Sequence, residues 1–140
     1  MERTPAIELF KDTFQRLDAG SLHLLAELYT EQVVFQDPFR RIEGLPALRQ
    51  YFAKLYQNAI STSFVFEDEC RGKEKSILSW TLSLRHPRLN GGVLIQVPGV
   101  SHIRYRNKVY YHRDYFDAGA LLYEHVPLLG AIVRAVKRSM

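Results

Sequence analysis

The 140-residue sequence contains one cysteine and no long hydrophobic run. The single thiol, Cys70, excludes an internal disulfide framework and fits a reducing compartment. A membrane-spanning helix needs about 20 consecutive apolar residues, and no hydrophobic stretch of the kind found in signal peptides follows Met1. We therefore expect a cytoplasmic protein. The hydrophobic share of 46% excludes a disordered chain.

Net charge is also small, at a formal +4, but it is unevenly distributed. Residues 1–70 carry 7 basic and 11 acidic side chains, whereas residues 71–140 carry 12 basic and 4 acidic ones. A basic half is typical of a nucleic-acid surface or of the polar face of a sheet. The choice between the two depends on where the basic residues fall in the secondary structure.

The first half of the chain has the periodicity of helices. Apolar residues recur at helical spacing from Pro5, from Ser21 and from Pro46, which predicts three helices. Tyr29 belongs to the apolar stripe of the second predicted helix. A short β-type run over residues 33–36 separates the second helix from the third.

From about residue 61 the apolar period changes from helical to two. Turn residues divide the following segment into four strands, which predicts an antiparallel meander. The third of these strands, over residues 93–105, contains Pro98-Gly99, where we expect a β-bulge. The last strand runs from Val109 to about Phe116.

The tail from Leu121 has helical periodicity that we expect to break at Pro127 and near Gly130. Helices followed by strands, rather than alternating with them, indicate an α+β fold with helices packed on one face of a curved sheet. The length fits a single domain over residues 1–140, with a core over about 5–118 and a helical tail over about 120–138.

Four sequence strings carry a family resemblance. A helical hairpin followed by VVFQDPF, IEGLPALRQYF, PGVSHIRY and HRDYFD resembles the nuclear transport factor 2-like superfamily, over most of the chain. It is most similar to the SnoaL-like group of small polyketide-cyclase, ketosteroid-isomerase and epoxide-hydrolase relatives. The resemblance implies a cone-shaped sheet closed by the helices, an apolar pocket at its mouth, no cofactor, and a homodimer formed through the outer sheet face.

The resemblance also implies candidate site residues. Asp37 lies where ketosteroid isomerases carry their proton-shuttling aspartate, and the two oxyanion donors of those enzymes fall near Thr13 and Ser101. Asp114 matches the water-activating aspartate of limonene epoxide hydrolases, and it is the nearest counterpart of the late aspartate of polyketide cyclases. The chain departs from these patterns. Those oxyanion donors are a tyrosine and a protonated aspartate, whereas Thr13 and Ser101 are neither phenols nor carboxylic acids, and residues 78–82 lack the arginine and second aspartate of the hydrolases.

The residues themselves support the same candidates. Alternation places His112, Asp114 and Phe116 on one face of the last strand, and a carboxylate among aromatic side chains can serve as a general acid or base. The competing interpretation is a buried Asp114 that pairs with His112 or a tyrosine as part of the core. Asp37, which precedes a proline, can likewise be a turn residue whose carboxylate binds backbone N–H groups.

These residues predict a pocket protein for a hydrophobic small molecule, either a cofactor-independent isomerase, cyclase or hydrolase or a non-catalytic ligand-binding or dimerisation module. In the enzyme hypothesis Asp114 is the acid/base, Asp37 is its partner, and His112 or Tyr29 orients them. The predicted ligand-binding residues are mostly aromatic: Phe14, Tyr29, Phe35, Tyr51, Phe64, Trp80, Ser101 and Phe116.

Other binding functions are disfavoured. The five histidines are scattered without metal-ligand spacing, so we expect no metal site. The basic strand residues alternate outward, onto the face where the resemblance implies a dimer. Nucleic-acid binding is disfavoured because the aromatic residues point mostly inward and no nucleic-acid motif is present. The basic tail around Arg134, Lys137 and Arg138 is too short and too weakly charged for stable membrane association.

Overall fold

Six strands form one curved, open sheet, and helices pack on one of its faces, as the predicted α+β class requires. The computed structural model describes residues 5–121 and 127–140. Its helices are α1 (Pro5–Arg16), α2 (Leu25–Leu28), α3 (Leu45–Gln57), α4 (Ala118–Leu121) and α5 (Pro127–Ser139). Its strands are β1 (Tyr29–Gln36), β2 (Arg41–Glu43), β3 (Ser61–Arg71), β4 (Lys75–Arg85), β5 (Ile95–Tyr105) and β6 (Val109–Phe116).

The strand order is β2-β1-β6-β5-β4-β3. Strands β3 to β6 form the predicted antiparallel meander. The structure adds a hairpin of β1 and the three-residue β2, and β1 joins the meander through a parallel pairing with β6. This pairing places Phe35 beside His112 and Gln36 beside Arg113. It therefore brings the end of β1, and Asp37 after it, next to the part of β6 that carries Asp114.

The second predicted helix is shorter than its apolar spacing indicates. A 3₁₀ turn over Leu22–Leu24 leads into the four-residue α2, and Tyr29 is the first residue of β1 rather than a helical residue. The segment from Tyr29 onward is rich in aromatic and β-branched residues, which fit a pleated strand better than a helix. Tyr29 is consequently placed in the sheet, where it reaches β6.

The predicted bulge at Pro98-Gly99 is wrong. Both residues pair with β4 without interruption. The pairing of β5 with β6 begins at Gly99, so Pro98 lies outside it. Register shifts occur instead in the pairings of β6 with β5 and with β1, and a bulge lies in β3. There, the three-residue step from Phe66 to Glu69 faces a two-residue step on β4. Directly after this bulge, Glu69 forms an ion pair with Lys11 of α1 at 2.9 Å. The irregularity thus lies where α1 is attached to the sheet.

The hydrophobic core lies between α1, α3 and the inner face of the sheet. Phe10 and Phe14 of α1, Leu48 and Phe52 of α3, and Phe35 of β1 are all buried. Within each of the two helices, the two buried residues are four positions apart, so they lie on one face of the helix. The core therefore fills the space between these two helices and the sheet.

The tail also differs from its prediction. Helix α5 is continuous from Pro127 to Ser139, so the expected break near Gly130 is wrong, and Pro127 begins the helix, a position that proline favours. The predicted helical residues 122–126 lie outside the described part of the chain. Among the described helices, none is both long enough and apolar enough to span a membrane.

The outer face of the sheet combines arginine–tyrosine pairs with exposed apolar side chains. The Arg104 guanidinium lies 5.3 Å from the centre of the Tyr111 ring, and the Arg113 guanidinium lies 4.7 Å from the centre of the Tyr115 ring. Ile77 on the same face is 47% exposed. The homodimer expected through this face stays a prediction.

Gly99 gives a test of the β4–β5 register, because it lies directly opposite Trp80. A Cβ atom built on Gly99 overlaps the six-membered ring of Trp80. We expect Gly99→Ala to lower the free energy of unfolding by about 1–3 kcal/mol through overpacking. Since Trp80 is the only tryptophan, its fluorescence emission should shift in the folded variant.

The matched control is Gly20→Ala, whose added Cβ makes only an ordinary contact, 3.5 Å from Asp18 Oδ1. Its free energy of unfolding, measured by urea titration, should stay within about 0.5 kcal/mol of the parent value. Equal stabilities of the two variants would contradict the close approach of Trp80 to the β5 backbone.

Candidate functional site

An apolar cavity of about 400 Å³ opens between α3, α4 and the inner face of the sheet. Both candidate carboxylates, Asp37 and Asp114, line it. Six of the predicted ligand-binding residues also line it: Phe14, Phe35, Tyr51, Phe64, Trp80 and Phe116. The cavity is thus an aromatic enclosure that contains two carboxylates.

Three other predicted site residues do not line the cavity. Tyr29, Ser101 and His112 are each at most 2% exposed and lie behind its wall. They form hydrogen bonds that lead to Asp114 instead of facing a ligand. Their place in the site is therefore to hold Asp114.

Asp114 is held through one of its two carboxylate oxygens. Ser101 Oγ lies 2.5 Å from Asp114 Oδ1, and His112 Nε2 lies 2.6 Å from the same oxygen. Tyr29 Oη lies 2.6 Å from His112 Nδ1, and Trp80 Nε1 donates to Ser101 Oγ at 2.8 Å. The five side chains form one continuous chain of hydrogen bonds.

The direction of each hydrogen bond follows from its donors. An indole N–H can only donate, so the Ser101 hydroxyl accepts from Trp80 and is left to donate to Asp114. Burial, and then the charge of Asp114, raise the pKa of Tyr29 well above its usual value, so its phenol keeps its proton. A carboxylate can only accept, so in the tautomer that fits both contacts His112 Nε2 donates to Asp114 and His112 Nδ1 accepts from the Tyr29 phenol.

Packing explains why His112 keeps this orientation. Its ring makes edge contacts with the rings of Phe10, Phe14 and Phe35, at centroid distances of 5.0, 5.8 and 4.9 Å. It also stacks on Tyr29 at 6.0 Å. Rotation of the ring would leave buried nitrogen atoms without partners, which is costly.

The second oxygen of Asp114, Oδ2, has no hydrogen-bond partner among the described residues. The Asp114 side chain is 17% exposed, in contrast to 1% for His112, and it lines the cavity. One oxygen is therefore fixed by the protein, and the other remains available to a ligand. Such a carboxylate can take or give a proton in a defined position.

Asp37 is more fully engaged. Its Oδ1 accepts the backbone N–H groups of Phe39 and Arg40 at 2.8 and 3.0 Å, and its Oδ2 accepts the phenol of Tyr51. A turn residue is expected to accept two such backbone N–H bonds, and this was the competing interpretation of Asp37. Burial, and then the hydrogen bond to Asp37, raise the pKa of Tyr51 well above its usual value. Tyr51 therefore remains a phenol that donates to Asp37.

Tyr56 lines the cavity but was not among the predicted site residues. It lies four residues after Phe52 on α3, so it continues the inward-facing stripe, whereas the preceding residue, Leu55, is 47% exposed. Its phenol makes no hydrogen bond to any described residue, and burial, then the charge of Asp114, raise its pKa well above the usual value. It is thus an unengaged donor within electrostatic range of Asp114.

The remaining candidates contribute little to the site. Thr13 is 1% exposed within the core and does not line the cavity. In the described ranges, His, Cys, Asp and Glu side chains form no cluster of three that could hold a metal ion. The carboxyl and phenol groups that line the cavity are therefore those of Asp37, Asp114, Tyr51 and Tyr56.

Comparison with known proteins places this geometry in a family. The model of the SnoaL-like domain matches residues 10–112, which is most of the chain. The chain belongs to the SnoaL-like family. No curated protein matches it significantly.

Solved structures share the SnoaL-like fold at low sequence identity. A provisionally named SnoaL-like polyketide cyclase from Jannaschia sp. CCS1 is 18% identical, with 87% of this chain and 94% of that chain covered at a TM-score of 0.74. A protein with a ketosteroid isomerase-like fold from Catenulispora acidiphila, solved with trimethylamine, is 10% identical over 86% and 92%, at 0.73. An NTF2-like protein of unknown function from Burkholderia pseudomallei is 9% identical over 86% and 96%, at 0.75.

Tyrosine titration tests the buried phenols of the SnoaL-like protein. Because the pKa values of Tyr29, Tyr51 and Tyr56 are raised, at least three of the eight tyrosines should not ionise in the native protein up to about pH 11. All should ionise once urea unfolds it. Since the unfolded chain loses these protons at lower pH, the free energy of unfolding should fall as the pH rises above about 10.

The variant Tyr56→Phe should remove one tyrosine from the group that ionises only after unfolding, and it should leave the native absorbance change unaltered. If the native absorbance change became smaller in this variant, the buried, protonated state of Tyr56 would be contradicted.

Proposed function

We propose that the cavity binds an apolar small molecule and that Asp114 acts on it as a general acid/base, without a cofactor. The observation that carries this proposal is the asymmetry of the Asp114 carboxylate. Oδ1 accepts hydrogen bonds from Ser101 and His112, while Oδ2 has no partner among the described residues and belongs to a side chain that lines the cavity. A carboxylate needed only for architecture would be expected to engage both oxygens.

The arrangement suits proton transfer at a carbon atom next to a carbonyl group. Asp114 Oδ2 takes the proton, the electron pair of the broken C–H bond forms a C=C bond, and the π pair of the C=O bond moves onto the carbonyl oxygen. The phenol of Tyr56 can donate a hydrogen bond to that oxygen as it becomes negative. Return of the proton to another carbon gives an isomerisation, and attack of the enolate carbon on a second carbonyl gives a cyclisation.

Hydrolysis uses a related step: Oδ2 takes a proton from water, the water oxygen bonds to an electrophilic carbon of the ligand, and the bond from that carbon to its leaving oxygen breaks with the electron pair on that oxygen. Asp37 has a different part in either case. Because both of its oxygens are engaged, it holds Tyr51 and the turn after β1 in place at the cavity wall. We therefore propose Asp37 as a positioning residue and Asp114 as the catalytic carboxylate.

A non-catalytic ligand-binding module is the second candidate. It is favoured by the aromatic wall, since Phe14, Phe64 and Trp80 supply apolar contact area whether or not a reaction follows. The two candidates differ in whether Oδ2 of Asp114 removes a proton from a bound molecule.

The test uses 5-nitrobenzisoxazole, a carbon acid that reports proton removal without knowledge of the natural substrate. A base takes its C–H proton, the C–H electron pair forms a nitrile, the N–O bond breaks, and the oxygen leaves as a coloured phenolate. We expect Asp114→Asn to lower the enzyme-dependent rate by at least about 100-fold. Tyr56→Phe should lower it by roughly 10- to 100-fold, because the negative oxygen loses a donor.

Asp12→Asn is the matched control, because Asp12 lies on the surface of α1 in an ion pair with Arg16; its rate should equal that of the parent. Circular dichroism would establish that each variant is folded. A probe that binds with the same affinity to parent and Asp114→Asn but is not turned over by either would contradict catalysis by Asp114 and favour the binding module.

A further inference from the structure

The two ends of the cavity differ in charge. Alternate residues from Trp80 to His86, along β4 and just past its end, line the cavity. Six residue spacings in a strand correspond to about 20 Å. Trp80 connects to Asp114 through Ser101, so the carboxylates lie at its end of the strand. At the other end, the lining includes His86 and Arg88, which follow β4. The chain that leaves α3 reaches this end, where the N–H of Ile60 donates to the Arg85 carbonyl at 2.8 Å, and Lys54 in the last turn of α3 also lines the cavity.

These basic groups have no acidic partners in the cavity. Of the lining residues, only Asp37 and Asp114 are acidic. Among the described residues, neither the Lys54 ammonium nor the Arg88 guanidinium takes part in an ion pair or a side-chain hydrogen bond. His86 Nδ1 accepts the backbone N–H of Arg88 at 3.1 Å, so the neutral ring carries its proton on Nε2, which is left as a donor.

The loop that carries Arg88 is held in one shape. The side chain of Arg85 donates to the Gly92 carbonyl at 3.0 Å, and the N–H of Leu89 donates to the His86 carbonyl at 3.0 Å. Asn90, Gly91 and Gly92 have φ angles of 52°, 62° and 81°, which the two glycines adopt without a steric penalty. The backbone at Arg88 is thus ordered before any ligand arrives, which lowers the cost of binding.

We infer that the cavity takes an amphipathic organic anion, whose apolar body lies between the aromatic side chains and whose carboxylate or sulfonate group lies against Lys54, His86 and Arg88. The inference rests on the proposed ligand-binding function and assigns the class of ligand. The charges of Asp37 and Asp114 repel an anion from the other end, so the same groups fix the orientation of the ligand. Its uncharged end then meets Oδ2 of Asp114.

The test compares two fluorescent probes with one aromatic skeleton. N-phenyl-1-naphthylamine is neutral, and 8-anilino-1-naphthalenesulfonate is the same molecule with an added sulfonate. We expect the parent protein to bind the sulfonate about tenfold more tightly, since charged hydrogen bonds to an anion add affinity. The double variant Lys54→Gln/Arg88→Gln should lose this preference and keep its affinity for the neutral probe.

The control is Lys73→Gln/Arg49→Gln, which removes the same two charges from exposed positions that do not line this cavity, and it should retain the preference. The neutral probe should be displaced by the sulfonate, as expected for one shared site, and added salt should weaken only the sulfonate.

The outcomes separate the two proposals. If the parent binds both probes equally well, or if the control loses the preference as fully as Lys54→Gln/Arg88→Gln, the anion site is overturned while the apolar binding function stands. If the parent binds neither probe, the binding function fails, and the anion site fails with it.

Discussion

His112 has both of its ring nitrogens committed to hydrogen bonds at the centre of an aromatic core. A buried imidazole is costly unless both nitrogens find partners, and here the partners are Tyr29 from β1 and Asp114 from β6. Both must lie on the inner face of the sheet. A shift of either strand by one residue would turn its side chains to the other face. The hydrogen bonds of His112 therefore require the parallel pairing of β1 with β6, which the order of elements alone does not specify.

The pairing of β1 with β6 also decides which end of the cavity carries the carboxylates. Because Ser101 and His112 both donate to Oδ1 of Asp114, the carboxylate presents one particular atom to a ligand. The aromatic wall separates this carboxylate from the basic side chains at the other end of β4. The ligand that we propose, apolar in its middle and anionic at one end, would fit both ends. The proposed orientation by charge and the proposed proton transfer by Asp114 thus depend on one arrangement of strands.

Much of this arrangement follows from local sequence patterns. Alternation along β6 predicted that His112, Asp114 and Phe116 share a face, and the aromatic lining was predicted from residue type. The rest depends on long-range contacts. The placement of Tyr29 in a strand depends on its partner in β6, and the role of Ser101 depends on its register opposite Asp114. Tyr56 could have been found from its spacing after Phe52, but its lack of a hydrogen-bond partner is a three-dimensional property.

The tautomer of His112 is the most direct test of this account. Nitrogen-15 NMR of the imidazole distinguishes a protonated ring nitrogen from an unprotonated one. From the two hydrogen bonds we expect the proton on Nε2 and an unprotonated Nδ1 whose resonance shifts in Tyr29→Phe, while the Nε2 resonance shifts in Asp114→Asn. A His112 ring with its proton on Nδ1, or with resonances that neither substitution moves, would contradict the chain of hydrogen bonds that ends at Asp114.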